Sequence, residues 1–244
     1  PDCLFNFADT GFQIFLFSHI FHLRNIFAFS VQYMSVSILN SEGIKMDFQK
    51  NLENYILSLG VSDVGFAKLK EPVNGMEYAV SFVVRLSEAV IDEIDTEPTH
   101  TYFHHYRTVN AFLDRTILQA GMFLQNGGYK YIPVGASQSI NKDGWNYKGL
   151  VSSRMVACLS GLGTIGKSNM FIHKTFGPAV RLGTLLTNCP FEEVGEEIKE
   201  NLCGECTKCV DACPAKALTG KVYTEGVERE EIINPEKCSE FMKK

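Results

Sequence analysis

The chain has 244 residues, 45% of them hydrophobic and 21% charged, with a formal net charge of −5. This is the composition of an ordinary globular protein with enough length for a sizeable core, and it excludes a disordered low-complexity chain. The acidic balance offers no chain-wide attraction for nucleic acid, and eight cysteines, five of them from Cys203 onward, point to a reducing compartment rather than secreted disulfides.

Residues 1–45 differ from the remainder of the chain: they open on Pro1 and hold eight of the 18 phenylalanines. The apolar run Ile14, Phe15, Leu16, Phe17 is interrupted by Ser18, His19, His22 and Arg24. No stretch of roughly 18 uninterrupted apolar residues is present, as a spanning helix needs. A basic segment leading to a small-residue cleavage site is also missing. The expectation is that Met46 is the natural start and that 1–45 is a non-native or disordered extension. A peripheral membrane anchor is the alternative.

From Met46 the pattern becomes regular. Phe48, Leu52, Ile56 and Leu59 are spaced for an amphipathic helix that stops at Gly60. Residues 64–69 and 78–86 read as strands, the second a near-continuous apolar run suited to a sheet interior. The acidic run 88–97 carries five carboxylates and no base, as a solvated face or loop does. Tyr102, Tyr106, Val109, Leu113, Ile117, Ala120 and Leu124 trace a long helix closed by Gly127 and Gly128. A strand over 129–134, a loop over 135–150 with the sole tryptophan, Trp145, and a short helix capped by Ser153 come next. Residues 168–173 and 180–187 read as strands around a Gly177-Pro178 turn. Helices and strands therefore mix up to about Pro190, an α/β (α+β) pattern. An acidic linker, 191–201, leads to the cysteines.

Gly161-Leu-Gly163-Thr-Ile-Gly166-Lys167-Ser168 matches both G-x-G-x-x-G and G-x-x-x-x-G-K-S. Either signature needs a strand before and a helix after, because the phosphate sits on the helix N-terminus. The expected order here is reversed, so we do not read a phosphate loop. The three glycines instead let backbone approach a flat ligand or a neighbouring strand.

Cys203, Cys206, Cys209 and Cys213, followed by Pro214, spell C-x2-C-x2-C-x3-C-P. That is the bacterial run for a [4Fe–4S] cluster, whose fourth cysteine serves a different cluster in two-cluster proteins. Zinc is the rival, although structural zinc favours two separated cysteine pairs. With Cys238 added, five thiols close one cluster, completed by Cys213 or Cys238, but not two. The expectation is that the natural chain continues past Lys244 with a second cysteine run.

Taken together, Ser160 to Ser168, Leu182-Gly183-Thr184-Leu185-Leu186-Thr187 and the cysteine run resemble the epoxyqueuosine reductase family in order and spacing. Tyr102 to Asn110 and Pro133 to Ser137 look like its shorter relatives. The resemblance covers roughly 50–244. It implies a nitroreductase-like α/β cobalamin-binding domain over 46–190 and an incomplete ferredoxin-like module over 191–244. Further implications are one or two 4Fe-4S clusters bound by Cys203, Cys206, Cys209, Cys213 and Cys238, and a cobalamin beside Gly161, Gly163, Gly166 and Lys167. The family is cytoplasmic and reduces the epoxide of a modified tRNA nucleoside, which implies tRNA and an electron donor such as a ferredoxin or flavodoxin as partners, and no membrane. Two positions depart from the family. Its proton-donating aspartate lies in a stretch that here runs Lys148 to Arg154 without a carboxylate, and Asp143 is nearby but outside that motif. Thr164 stands where the family usually has tryptophan.

The expected function is an iron–sulfur redox enzyme passing electrons to a corrinoid. An electron carrier or corrinoid-reducing partner subunit, and a dehalogenase-like reductase, are the alternatives. Among the remaining candidates, Cys158 reads as a buried structural thiol and Cys189 as inert. His104 and His105 are adjacent and so face apart on a helix, and His173 reads as a strand-surface residue.

Overall fold

The apolar run at 78–86 builds the centre of a four-stranded antiparallel sheet. A computed structural model describes residues 41–140, 147–224 and 226–243, with side chains from residue 48. Expectations placed on 1–40, on Trp145 and on Asp143 lie outside the described residues. In chain order the elements are α1 Ser41–Ser58, β1 Asp63–Val73, β2 Met76–Arg85, α2 Glu88–Asp92, α3 His100–Asn126 and β3 Tyr131–Val134. They continue with α4 Ser153–Leu159, β4 Gly163–Ile165, β5 Phe171–His173, β6 Val180–Thr187, α5 Lys208–Asp211, α6 Arg229–Ile232 and α7 Pro235–Met242. All lie within one compact unit, Leu39–Lys244.

The sheet order is β1-β2-β6-β3, and every pairing is antiparallel. The expected mixture of helix and strand is present, in its α+β form. β2 is interior, as its apolar run predicts, and alternates in the pleat. Val80 and Phe82 face α1 and α3 together with Leu52, Ile56, Leu113, Ile117 and Leu185. On the opposite face Ala79 and Val83 meet Val156, Ala157, Cys158, Leu162 and Phe171 from α4 and the segment after it. One sheet face is thus roofed by two long helices, the other by α4 and the β4–β5 pair.

Local rules account for the helix ends. Thr99 caps α3 by accepting from the Tyr102 amide at 3.0 Å. Ser152, one residue before the expected Ser153, caps α4 by accepting from Met155 N. Gly60 follows α1 at φ +99°, where an L side chain is strained. The acidic run becomes the short α2 with no buried residue, so its solvent-facing character holds.

The linker does not hang free. Phe191 packs on Phe66 with centroids 4.6 Å apart and on Tyr78 at 5.7 Å. Gln49 clamps the next turn, donating to Glu193 O at 2.6 Å and accepting from the amides of Glu192 and Glu193. Gly195 N donates to Phe66 O at 2.9 Å. The chain is therefore held on the α+β body until just before the cysteines.

Candidate functional site

The glycine-rich segment folds as a strand, a tight turn and a strand. β4 pairs with β5 through Gly163 to His173, Thr164 to Ile172 and Ile165 to Phe171. Gly166 N donates to Met170 O at 3.0 Å and Asn169 N to Gly166 O at 2.8 Å, closing the turn. A helix precedes the motif and none follows, so the phosphate-loop context is absent. Each glycine answers a close approach. A Cβ on Gly161, at φ +69°, would lie 2.9 Å from Glu196 O. On Gly163 it would lie 2.1 Å from Ile172 O. On Gly166 it would lie 2.6 Å from the Ile172 side chain and 3.2 Å from Cys203 Sγ.

The same turn holds the cysteine run. Lys167 N donates to Cys203 Sγ at 3.4 Å, and Lys167 Nζ to Gly204 O at 2.7 Å. A lysine that a phosphate loop would turn to phosphate is here spent on the backbone of the cysteine loop, with its residue only 8% exposed. Cys203, Cys209, Cys213 and Cys238 are half-buried and Cys206 is exposed, all as free thiols. Burial raises the Cys213 thiol, but the amides of Ala217, Leu218, Ala215 and Lys216 outweigh it and hold the group below its ordinary value. The Ala217 amide donates to Cys213 Sγ at 3.4 Å. The bridge between Leu218 and Ile233, with Asn234 N donating to Ala217 O at 2.8 Å, sets α7 and its Cys238 beside that segment. Asn234 and Pro235 start α7 as cap and first residue.

These thiols suit an iron–sulfur cluster in donor type and in amide support, since thiolates are its ligands and N–H groups to sulfur tune it. Among the described residues no group of three His, Cys, Asp or Glu side chains is placed to hold a metal ion. The other two described cysteines stand apart: burial pushes Cys158 and Cys189 up to about 12, so both stay protonated and inert as expected.

A cavity of about 750 Å³ opens on the α4 side of the sheet. Val134, Leu150, Ile165, Phe171, Val180 and Leu182 give it apolar wall. Ile165 and Asn169 bring the glycine-rich segment to this wall, whereas Gly161, Gly163, Gly166 and Lys167 face the linker, β5 and Cys203 instead. The volume falls in the roughly 300–1,000 Å³ range of small-ligand pockets, so a corrinoid, a larger molecule, would be only partly enclosed. The stretch Lys148 to Arg154 lines it, as do Lys70, Arg181, Glu228 and Arg229. Arg154 donates to the Asn169 carbonyl. Burial, then the charge of Arg229, lower its pKa. Arg181 is fixed more elaborately: Nε donates to Asn110 Oδ1 at 3.0 Å, Nη2 to Ala136 O and Ser137 Oγ at 3.3 Å each, and its guanidinium lies 4.3 Å over the Tyr106 ring. Tyr106 OH meets Ser137 Oγ at 2.9 Å. Burial raises this phenol, but Ser137, Arg181 and Asn110 together bring it below its ordinary value. The spacing of Tyr106, Asn110 and Arg181 gave no sign of this network, because it forms between α3, the 135–138 turn and β6.

Two histidine readings resolve differently. His104 is exposed and His105 accepts from Ser87 N at 3.1 Å, so the pair faces apart. His173 is not a surface residue: it is 2% exposed, and Nε2 lies 3.1 Å from Asp63 Oδ2.

No family model matches the chain. Curated epoxyqueuosine reductases do: that of Lactococcus garvieae is 45% identical over 65 residues, covering 27% of this chain and 18% of the relative. Those of Staphylococcus aureus and Bacillus subtilis are 35% and 36% identical over 94 residues, covering 38% of this chain and 22% of each relative. Over these segments the chain is similar to the epoxyqueuosine reductases. It matches only about a fifth of the length of those curated proteins. In fold, a crystal structure of epoxyqueuosine reductase with an epoxyqueuosine-modified tRNA-Tyr stem loop superposes with TM-score 0.55 at 21% identity, covering 79% of this chain and 56% of that one. A catabolic reductive dehalogenase bound to 3-bromo-4-hydroxybenzoic acid gives 0.61 at 14%, covering 78% and 28%. The α+β body is thus shared by epoxyqueuosine reductases and a reductive dehalogenase. Among the described residues, no helix is long and apolar enough to cross a membrane.

Proposed function

We propose that the chain is part of an iron–sulfur, corrinoid-dependent reductase related to epoxyqueuosine reductase. Cys203, Cys206 and Cys209, with Cys213 or Cys238, are the ligands of a [4Fe–4S] cluster in a ferredoxin-like module. The α+β body would carry the corrinoid, only partly enclosed, at the mouth of the cavity beside the substrate, with Gly161, Gly163, Gly166 and Lys167 behind its wall. When bound, the cluster supplies single electrons and the corrinoid supplies the metal centre for reduction. The observation that carries this reading is the contact of Lys167 with Cys203 and Gly204. It fastens the cysteine run to the turn whose Ile165 and Asn169 form cavity wall, so donor and acceptor sides meet at one element.

The chain's own residues do the remaining work. Backbone amides around Cys213 favour its thiolate, and Phe171, Leu182 and Ile165 exclude water from one wall. A tRNA-borne nucleoside is the substrate class that the relatives' names support. The absence of a carboxylate in Lys148 to Arg154 sets this chain's proton source apart from the family's. An external ferredoxin or flavodoxin would supply electrons. A carrier without a substrate needs no such cavity.

The test is anaerobic reconstitution of the full chain with iron and sulfide, with and without added cobalamin. About four irons per chain and a base-off corrinoid spectrum are expected. Protein that takes up zinc but no iron would overturn the reading.

A further inference from the structure

In an acidic protein this cavity has a basic wall. Lys70, Lys148, Arg154, Arg181 and Arg229 reach it, and Glu228 is its one carboxylate among the described lining residues, while the chain carries −5. Some of this charge is offset close by: Glu230 lies 2.7 Å from Arg229 and 3.3 Å from Lys148. Arg154 and Arg181 are another matter. Among the described residues their hydrogen-bond partners are carbonyls, an amide oxygen and a hydroxyl, all neutral. Such acceptors aim a guanidinium without cancelling its charge.

A solvated patch of long side chains is the plainer reading, and three observations weigh against it. Arg181 is pinned by three hydrogen bonds and an aromatic face, which is preorganisation rather than surface freedom. Arg154 is half-buried and, among the described residues, bonds through Nη1 alone, to the Asn169 carbonyl, so its charge meets no carboxylate there. The stretch from Lys148 to Arg154 also places two cations and no carboxylate on this wall. That stretch is chemically equipped to hold negative charge.

We propose that the cavity binds a small molecule bearing an oxyanion, a phosphate or a carboxylate, through Arg154 and Arg181. Arg154, which bonds the protein through Nη1 alone, can meet such a group bidentately through Nε and Nη2, and Arg181, with Nε and Nη2 engaged, can add a donor from Nη1. Ser152 and Ser153, also on the wall, can supply hydroxyls to the remaining oxygens, while Ser137 is taken up by Tyr106, Asn110 and Arg181. This rests on the cavity being the ligand site of the proposed reductase, and it assigns that site's ligand a charge.

The experiment is calorimetric titration of the full, anaerobically reconstituted chain at low ionic strength. Probes are inorganic phosphate, adenosine monophosphate, adenosine, benzoate and a short single-stranded RNA. Adenosine monophosphate should bind at least about tenfold tighter than adenosine, with phosphate competing. Benzoate binding in place of phosphate would identify a carboxylate as the source. Arg154→Met and Arg181→Met should each lose roughly tenfold to a hundredfold, while Arg107→Met, an exposed cation over Phe103, should not change affinity. Arg181→Met removes contacts that order 136–137. If it misfolds, Arg154→Met, which loses one carbonyl contact, still decides. Equal binding of the nucleotide and the nucleoside with no benzoate binding, or no effect of Arg154→Met, overturns the proposal. So does binding of the RNA alone. Iron content measured on the same samples separates the two readings: iron loading without anion binding sinks this inference only, and anion binding without iron sinks the reductase only.

Discussion

Ser81 and Thr184 are cross-strand partners at the middle of the sheet, both fully buried, and neither hydroxyl has a hydrogen-bond partner among the described residues. A buried, unsatisfied hydroxyl costs about 1–3 kcal/mol. Thr184→Val keeps the shape and removes the group. Its unfolding free energy in urea should be unchanged or higher by up to about 1 kcal/mol, and a clear loss would mean that the hydroxyl is satisfied by bound water. His173 is the opposite case, a buried polar group with every partner in place. Its Nδ1 accepts from the amides of Thr175 and Phe176, so Nε2 carries the proton and donates to Asp63. Burial, only partly opposed by Asp63, lowers its pKa from the ordinary 6.5. The fold therefore prefers the neutral ring, and below about 6.5 the unfolded chain binds the extra proton. Stability should be level above that pH and fall as pH drops from about 6.5 toward the folded-state pKa. His173→Asn should flatten that slope, read from urea midpoints between about pH 7.5 and 5.5.

The β4–β5 pair shows how far local pattern carries. α3 was legible because Val109, Leu113, Ile117, Ala120 and Leu124 repeat at helical spacing, and every one of them is buried. β2 was legible because an apolar run suits an interior strand. β4 was not, since three residues inside a glycine-rich segment become a strand only when β5 folds back on them. The docked linker was equally hidden: its acidic composition reads as a solvated tether, while Phe191 and the Gln49 clamp act through partners more than a hundred residues away. The burial of His173 was hidden too, because a three-residue strand gives no alternation from which to infer a face. The glycines allow a test element by element. Gly163→Ala drives a Cβ into the Ile172 carbonyl, which is backbone and does not yield, so the pair should open at a cost of about 2–4 kcal/mol. Gly166→Ala meets the flexible end of Ile172 and then Cys203 Sγ. It should leave the melting temperature within a few degrees while lowering iron content per chain. Equal loss of stability in both variants would show that Gly166 serves the turn rather than the cysteine loop.

At the scale of the molecule, the cysteine run and the glycine-rich segment were each conspicuous in the sequence, but their contact was not. Spacing identifies ligands, whereas Lys167 reaching Gly204 joins residues 37 apart through a turn that neither motif encodes. The cationic wall was likewise invisible, because its members come from β1, β6, α4, α6 and the 147–154 stretch. If the two motifs form one mechanical unit, metal loading must be felt in both. A ligand that binds the folded state stabilises whatever must be ordered to bind it, and here that includes the turn holding Cys203. Iron–sulfide reconstitution should slow amide exchange at 203–219 and, to a comparable degree, at Lys167 and Asn169, whose amides bond Cys203 Sγ and Gly166 O. Cys206→Ser replaces an exposed thiol that we propose as a cluster ligand, so it should abolish the added protection in both segments. Cys158→Ala should leave it intact, because that thiol is buried and held protonated with a pKa of about 12. Protection confined to 203–219 would separate the cysteine module from the cavity-bearing body and remove the structural basis for the electron delivery proposed across the Lys167 turn.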